Sequence, residues 1–127
     1  MSLIIDASVI IAVILGERGA EVAAPMLQGS SISTVNFSEI LRKLVDQGSP
    51  FSLAYGELTR FEMRLADFTV EDAATAAALR PLTKHLGLSF ADRACLALAQ
   101  RLNRPILTAD REWAKLDLGL DIRQIRD

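Results

Sequence analysis

Two short, wholly apolar runs stand out in the pattern of the chain, Leu3-Ile4-Ile5 near the start and Pro105-Ile106-Leu107 late. Continuous runs of this kind suit strands covered on both faces. Each leads into an aspartate, Asp6 directly and Asp110 through Thr108-Ala109. Between and around them, apolar residues recur at helical spacing. The pattern predicts a helix from about Ser8 to Leu15, closed by Gly16, and a second from about Ala20 to Leu27. Ser31-Ile32-Ser33 reads as a short strand. A helix from about Val35 to Gln47, capped by Thr34 or Ser33, places Phe37, Ile40, Leu41, Leu44 and Val45 on one side and stops at Gly48-Ser49-Pro50. Another is predicted from Phe51 to Met63, with Leu53, Leu58 and Phe61 on its apolar side. Leu65 to Phe68 reads as a strand. Thr69 and Asp72 form a capping-box-like pair at the head of an Ala-rich helix that Pro81 kinks or ends. Ser89 opens a helix reaching about Leu102. A short helix from Asp110 to Lys115 and a strand from Ile122 to Ile125 complete the chain.

Strands alternate with helices throughout, so the expected class is α/β: a three-layer sandwich around a parallel sheet. The 127 residues make one domain over positions 1–127, large enough to bury roughly two-thirds of the surface of the unfolded chain. Hydrophobic residues make up 50 %, yet no apolar run approaches the ~20 residues of a membrane span. The surplus is assigned to the covered sheet and to an apolar face for a protein partner. A net charge of −2 excludes simple adhesion to nucleic acid through bulk charge, though not a local basic rim. One cysteine rules out an internal disulfide framework and fits a reducing, cytoplasmic setting. No basic segment followed by an apolar stretch suggests secretion.

Four carboxylates carry the candidate chemistry: Asp6, Glu39, Asp92 and Asp110. Taken singly, each aspartate has an ordinary reading as a helix cap, and Ser89-Phe90-Ala91-Asp92 spells a capping box. Glu39 has none. It lies a turn inside its helix beside the core residues Ile40 and Leu41, with Asn36 a turn earlier on the same face. If the strands ending at Asp6 and Asp110 are neighbours, their carboxylates meet beyond the carboxyl ends of the sheet, where open α/β folds bind ligands. Asp92 begins the helix leading into the second of those strands. Crowded carboxylates repel and raise one another's pKa, and a hard divalent cation relieves this. All-oxygen ligands without histidine or cysteine favour Mg²⁺ or Mn²⁺ over zinc.

At these motifs the sequence resembles PIN-domain ribonucleases, in particular the VapC toxins of VapBC toxin–antitoxin pairs. The matching stretches are Ile5-Asp6-Ala7-Ser8 and Val35-Asn36-Phe37-Ser38-Glu39, then Gly87-Leu88-Ser89-Phe90-Ala91-Asp92-Arg93-Ala94-Cys95-Leu96-Ala97-Leu98-Ala99 and Leu107-Thr108-Ala109-Asp110-Arg111-Glu112-Trp113-Ala114. They span essentially the whole chain in order. The first is a weak signal alone, whereas the last two together are specific. Phe90-Ala91 departs mildly from the Leu-Gly common in that block and leaves Asp92 in place. The resemblance implies a PIN fold with a mostly parallel five-stranded sheet whose first and fourth strands are adjacent. It implies Mg²⁺- or Mn²⁺-dependent endoribonuclease action, with Asp6, Glu39, Asp92 and Asp110 holding metal directly or through water. Ser8, Asn36 and Thr108 would orient those carboxylates or waters. It further implies a VapB-like antitoxin that blocks the acidic site, a homodimer, and contact with DNA only through the antitoxin.

Arg93 and Arg111 each follow an expected metal ligand, and Arg42 lies nearly a turn from Glu39. All three are candidates for RNA phosphate contacts over the acidic floor. The helices at Ser8–Leu15, Ala20–Leu27 and Phe51–Met63 carry more apolar residues than one covered face uses, which suits an amphipathic partner helix. His85 reads as a loop-side polar residue, Cys95 as a small core residue, and Trp113 as packing the last short helix onto the sheet. Asp46, Asp67, Asp72, Asp117 and Asp121 show no strand-end or helix-face logic. A phosphotransfer receiver would want paired acids after the first strand, and a haloacid-dehalogenase-type phosphatase a second aspartate at position 8. The alternative that survives is a non-catalytic PIN-fold binding partner acting in an antitoxin–DNA regulatory complex.

Overall fold

Five strands of two or three residues each build the sheet in the order β3-β2-β1-β4-β5, every pair parallel. They are β1 (Ile4–Ile5), β2 (Ser31–Ser33), β3 (Arg64–Ala66), β4 (Ile106–Thr108) and β5 (Ile122–Gln124). The structure, a computed structural model, describes residues 2–127. The earliest strand is the central one. Ile4 pairs with Ser31 on one side and Ile106 on the other, and Ile5 with Leu107. Successive strand residues point to opposite faces, so Ile4 and Ile106 join one core and Ile5 and Leu107 the other. Both faces are covered, which is why these strands read as unbroken apolar runs.

The first core takes Val9, Ile10 and Ala12 from α1 (Ala7–Leu15), Ile40 and Leu44 from α3 (Thr34–Asp46), and Ala54 and Leu58 from α4 (Phe51–Thr59). The short α2 (Ala20–Ala23) adds its buried Ala23. The second core takes Cys95, Leu96, Leu98 and Ala99 from α7 (Phe90–Leu102), Leu79 after α5 (Val70–Ala78), and Trp113 from a 3₁₀ turn at Arg111–Lys115. A short α6 (Arg80–Thr83) follows α5, with Pro81 in its first turn, where a missing N–H costs nothing.

Three predicted boundaries shift, each for a local reason. The second helix gives way to a 3₁₀ turn at Ala24–Met26, because Pro25 has no N–H to continue the ladder. The helix expected to run to Met63 stops at Thr59. The Glu62 carbonyl is needed by the Gly29 N–H (3.1 Å) and the Arg64 N–H by the Ser30 carbonyl (2.7 Å), and Glu62 turns the chain with φ +55°. The strand expected over Leu65–Phe68 is Arg64–Ala66. The Phe68 N–H instead donates to Thr34 Oγ1 (3.2 Å), and its ring packs edge-on against Phe90, centroids 5.5 Å apart.

Gly19 is a fixed point of the packing. Its φ is +95°, and a β-carbon there would lie 2.8 Å from the Ile125 carbonyl oxygen. Leu15, Val22, Met26, Phe51, Leu53 and Tyr55 stay substantially exposed, so the apolar surplus of α1, α2 and α4 is at the surface. No helix among the described residues is long and apolar enough to cross a membrane.

Candidate functional site

Asp6 stands at the end of β1, its N–H donating to the Leu107 carbonyl at 3.0 Å. It occupies the N-cap position of α1, but its side chain makes no capping hydrogen bond. The carboxylate turns into the crevice, almost fully buried. Ser8 Oγ donates to its Oδ2 at 2.5 Å and Thr108 Oγ1 at 2.8 Å. Both hydroxyls are fixed in turn. Ser8 Oγ accepts from the Ala109 N–H (2.9 Å) and Thr108 Oγ1 from the Asp110 N–H (3.0 Å). Among the described residues nothing hydrogen-bonds to Asp6 Oδ1.

Burial pushes the Asp6 carboxyl up from 3.8 to about 6, against the two hydroxyls, which pull it down; the charges of Asp92 and Glu39 push it up further. The same three acids, after burial, raise the thiol of Cys95 well above its usual range. Asp6, Glu39 and Asp92 therefore share one field, and Cys95 beneath them is an inert core thiol.

Each neighbour is held differently. Asp92 is the third residue of α7, and its capping box is complete. Its Oδ2 accepts from the Ser89 N–H (2.9 Å), while its own N–H donates to Ser89 Oγ (3.1 Å). Glu39 projects from α3 with its side chain largely covered, Lys43 Nζ 3.9 Å away. Asn36, one turn earlier, is fully buried. Its Nδ2 donates to the Ala91 carbonyl at 2.9 Å, tying α3 to the start of α7, and its Oδ1 is buried without a partner. Asp110 is exposed and caps the 3₁₀ turn, its Oδ1 accepting from the Glu112 N–H at 3.0 Å. The charges that push Asp6 up are those of Asp92 and Glu39.

Of the three arginines expected near phosphate, two are engaged elsewhere. Arg42 pairs with Asp46 (2.8 Å). Arg93 donates to the Ala76 carbonyl (2.8 Å) and lies 5.9 Å over the Phe90 ring. Arg111 is exposed, with no carboxylate in ion-pair reach among the described residues. Asp72, for which the sequence showed no purpose beyond a cap, is buried and bridged by Arg101 Nε (2.8 Å) and Nη2 (3.1 Å). Burial pushes its carboxyl up, but Arg101 and Thr69 outweigh this and bring it below the usual range. Its signal was the Thr69 capping box; nothing in the spacing pointed to Arg101.

Whether these residues suit a divalent cation follows from their chemistry. The donors are all oxygens, and the buried Asp6 offers a free carboxylate oxygen beside two further acids. Yet among the described residues no three acidic, histidine or cysteine side chains converge into a ready-made cage. All-oxygen donors suit a hard divalent cation that takes one or two carboxylates and completes its shell with water and substrate phosphate.

The fold and the crevice define an α/β domain with an acidic floor at the carboxyl edge of a parallel sheet. The chain belongs to the PIN-domain family, whose sequence profile matches residues 3–118. No curated protein sequence matches significantly. Among solved structures, VapBC2 from Rickettsia felis, bound to a DNA fragment from its promoter, aligns with a TM-score of 0.73 at 16 % identity, covering 98 % of both chains. A toxin–antitoxin complex from Klebsiella pneumoniae gives 0.70 at 21 % identity, over 89 % of this chain and 91 % of that one. VapC20 of Mycobacterium tuberculosis, a sarcin–ricin-loop-cleaving toxin, gives 0.74 at 14 % identity, over 90 % and 94 %. At these identities the likeness is one of fold.

Proposed function

We propose that the protein is the toxin of a VapBC-type toxin–antitoxin pair, a cytoplasmic endoribonuclease that uses Mg²⁺ or Mn²⁺. The observation that carries this is Asp6: a buried carboxylate at the end of the central strand, oriented by two hydroxyls, not spent on capping, and repelled by Asp92 and Glu39. A buried carboxylate with a shifted pKa, set in a crevice, favours a chemical role over a purely binding one. The neighbouring solved structures support the toxin assignment, since they include VapBC2, a toxin–antitoxin complex and a sarcin–ricin-loop-cleaving toxin.

Asp6, Glu39 and Asp92 would hold the cation, with Asp110 at the rim once it gives up Glu112. When bound, the cation supplies acidified water and neutralises charge on the phosphoryl oxygens. In the hydrolysis a water oxygen bonds to phosphorus as the ester P–O bond breaks, and the leaving oxygen takes a proton. Ser8 and Thr108 keep Asp6 in one rotamer, so the site is ordered before RNA arrives. Asn36 holds Ala91, and with it the first turn of α7, against α3. Lys43 offsets part of the repulsion at Glu39. The exposed apolar residues of α1, α2 and α4 suit an amphipathic segment of a VapB-like antitoxin, and DNA would be reached only through that partner. We also propose that the active toxin is a homodimer.

The test is cleavage of a cellular RNA pool by purified, antitoxin-free protein with Mg²⁺, Mn²⁺ or chelator, and Asp6→Asn as control. Discrete metal-dependent fragments, lost in the variant, are expected. Folded protein that cleaves nothing would favour a binding role in an antitoxin–DNA complex. Equal cleavage by Asp6→Asn would place the activity elsewhere.

A further inference from the structure

A surface cavity of about 630 Å³ opens at the carboxyl end of β5, lined by Arg111, Ala114, Gln124, Ile125, Arg126 and Asp127. Its size falls in the roughly 300–1,000 Å³ range of small-ligand sites. Two features point to a ligand. Gln124 Oε1 is buried and has no hydrogen-bond partner, while its Nε2 is fixed by donating to the Asp110 carbonyl at 3.0 Å. The amide cannot swing round without losing that bond, so a buried acceptor is left facing no protein donor. The second is charge. Arg126 is engaged by Glu17 Oε1 (3.3 Å) and the Arg18 carbonyl (3.0 Å), and Asp127 is answered by Arg18, whose Nη1 lies 3.9 Å from its Oδ1. Among the described residues Arg111 is left as the cavity's guanidinium without an ion pair.

The cavity is wired to the acidic crevice. Gln124 donates to the carbonyl of Asp110, the Asp110 N–H donates to Thr108, and Thr108 donates to Asp6. Through Gln124 the cavity borders Asp110, which Arg111 directly follows in the chain. Polymeric RNA offers repeated phosphates, and its 2′-hydroxyl is the one ribose donor that does not depend on the base. Resting on the nuclease reading above, we propose that this cavity is a ribonucleotide subsite flanking the cleaved bond. In it Arg111 holds a backbone phosphate and Gln124 Oε1 accepts from a ribose 2′-hydroxyl.

The probes are adenosine and uridine 3′,5′-bisphosphates and their 2′-deoxy forms, titrated into the full chain in chelator and followed by amide shifts of Ala114 and Ile125. The ribose forms should bind several-fold tighter than the deoxy forms, as one neutral hydrogen bond predicts. Arg111→Ala should weaken binding about tenfold or more, the loss of a charge-assisted contact. Gln124→Met, checked for native folding, should abolish the ribose preference. In RNA cleavage Arg111→Ala should raise KM with kcat little changed. No shifts at millimolar probe, equal binding of ribose and deoxy forms, or an unchanged KM in Arg111→Ala would overturn the subsite. Binding at the cavity by a chain that cleaves no RNA would support the subsite and sink the nuclease reading.

Discussion

Replacing Asp6 by Asn should make the metal-free protein more stable while abolishing its activity, and the gain should depend on pH in a defined way. The Asp6 carboxyl is raised from 3.8 to about 6 in the folded chain, by burial and then by Asp92 and Glu39. Between those values the folded state keeps a proton that the unfolded state has lost, so stability falls as pH rises through this window. At about 1.4 kcal/mol per pH unit, the full penalty is on the order of 3 kcal/mol and is complete near pH 7. Below the unfolded value, both states carry the proton and the penalty vanishes. The amide introduced by Asp6→Asn does not titrate. Any fixed cost of that amide beside Ser8 and Thr108 is independent of pH, so the change with pH carries the test. Urea unfolding of both proteins in chelator, at intervals from pH 3.5 to 7.5, reads the difference directly. Asp6→Asn should gain about 3 kcal/mol on the wild type across that range. A difference that stays flat, or grows toward acid, would refute the reasoning that Asp6 is a buried carboxylate held against its solvation.

The same experiments extend to other positions. Added Mg²⁺ at about a hundred times its dissociation constant should stabilise the wild type by about 2.7 kcal/mol and Asp6→Asn far less, measured as a shift in Tm. Thr108→Val leaves Asp6 Oδ2 and the Asp110 N–H each short of a partner; it should cost about 1–3 kcal/mol in urea unfolding and lower kcat. Asp72→Ala removes the buried carboxylate that Arg101 bridges, and because the guanidinium left behind is partly exposed and keeps the Asp67 carbonyl it should cost about 1–3 kcal/mol. Because the Asp72 carboxyl sits below its usual range, its contribution is present above pH 4 and lost as the pH falls through its folded value. The gap between wild type and Asp72→Ala should therefore narrow in acid. Gly19→Ala combines a left-handed φ with a backbone clash against Ile125; a loss of about 2–3 kcal/mol is expected by thermal unfolding.

The sheet was legible because its central strands are buried on both faces, so Leu3–Ile5 and Pro105–Leu107 needed no alternation to be recognised. The capping boxes at Thr69 and Ser89 were equally plain, since both partners lie within one turn. Glu39 and Asn36 drew notice as polar residues on an otherwise apolar helix side, and the structure places both among covered groups. What sequence could not separate was the fate of three similar aspartates. Asp6, Asp92 and Asp110 all precede or open helical turns, but only Asp6 withholds its side chain from capping. That depends on Thr108, a contact across 102 positions. Asp72 and Arg101 meet because α5 packs on α7, which no local pattern encodes. For the arginines the sequence offered only proximity to the acids, and the fold adds their partners, Asp46 for Arg42 and the Ala76 carbonyl for Arg93.

The position of β1 has a consequence for how the protein is made. Within this domain β1 is made before the other strands yet becomes the middle of the finished sheet, and one of its two neighbours, β4, is synthesised about a hundred residues later. Until Ile106–Thr108 have emerged, Ile4 and Ile5 lack half their pairing and Asp6 lacks Thr108. Glu39 and Asp92 have no common floor to face before then. The nascent domain is therefore without its acidic crevice until β4 has been made. For a protein whose proposed target is RNA, the order of its strands delays the hazard until most of this domain has been translated.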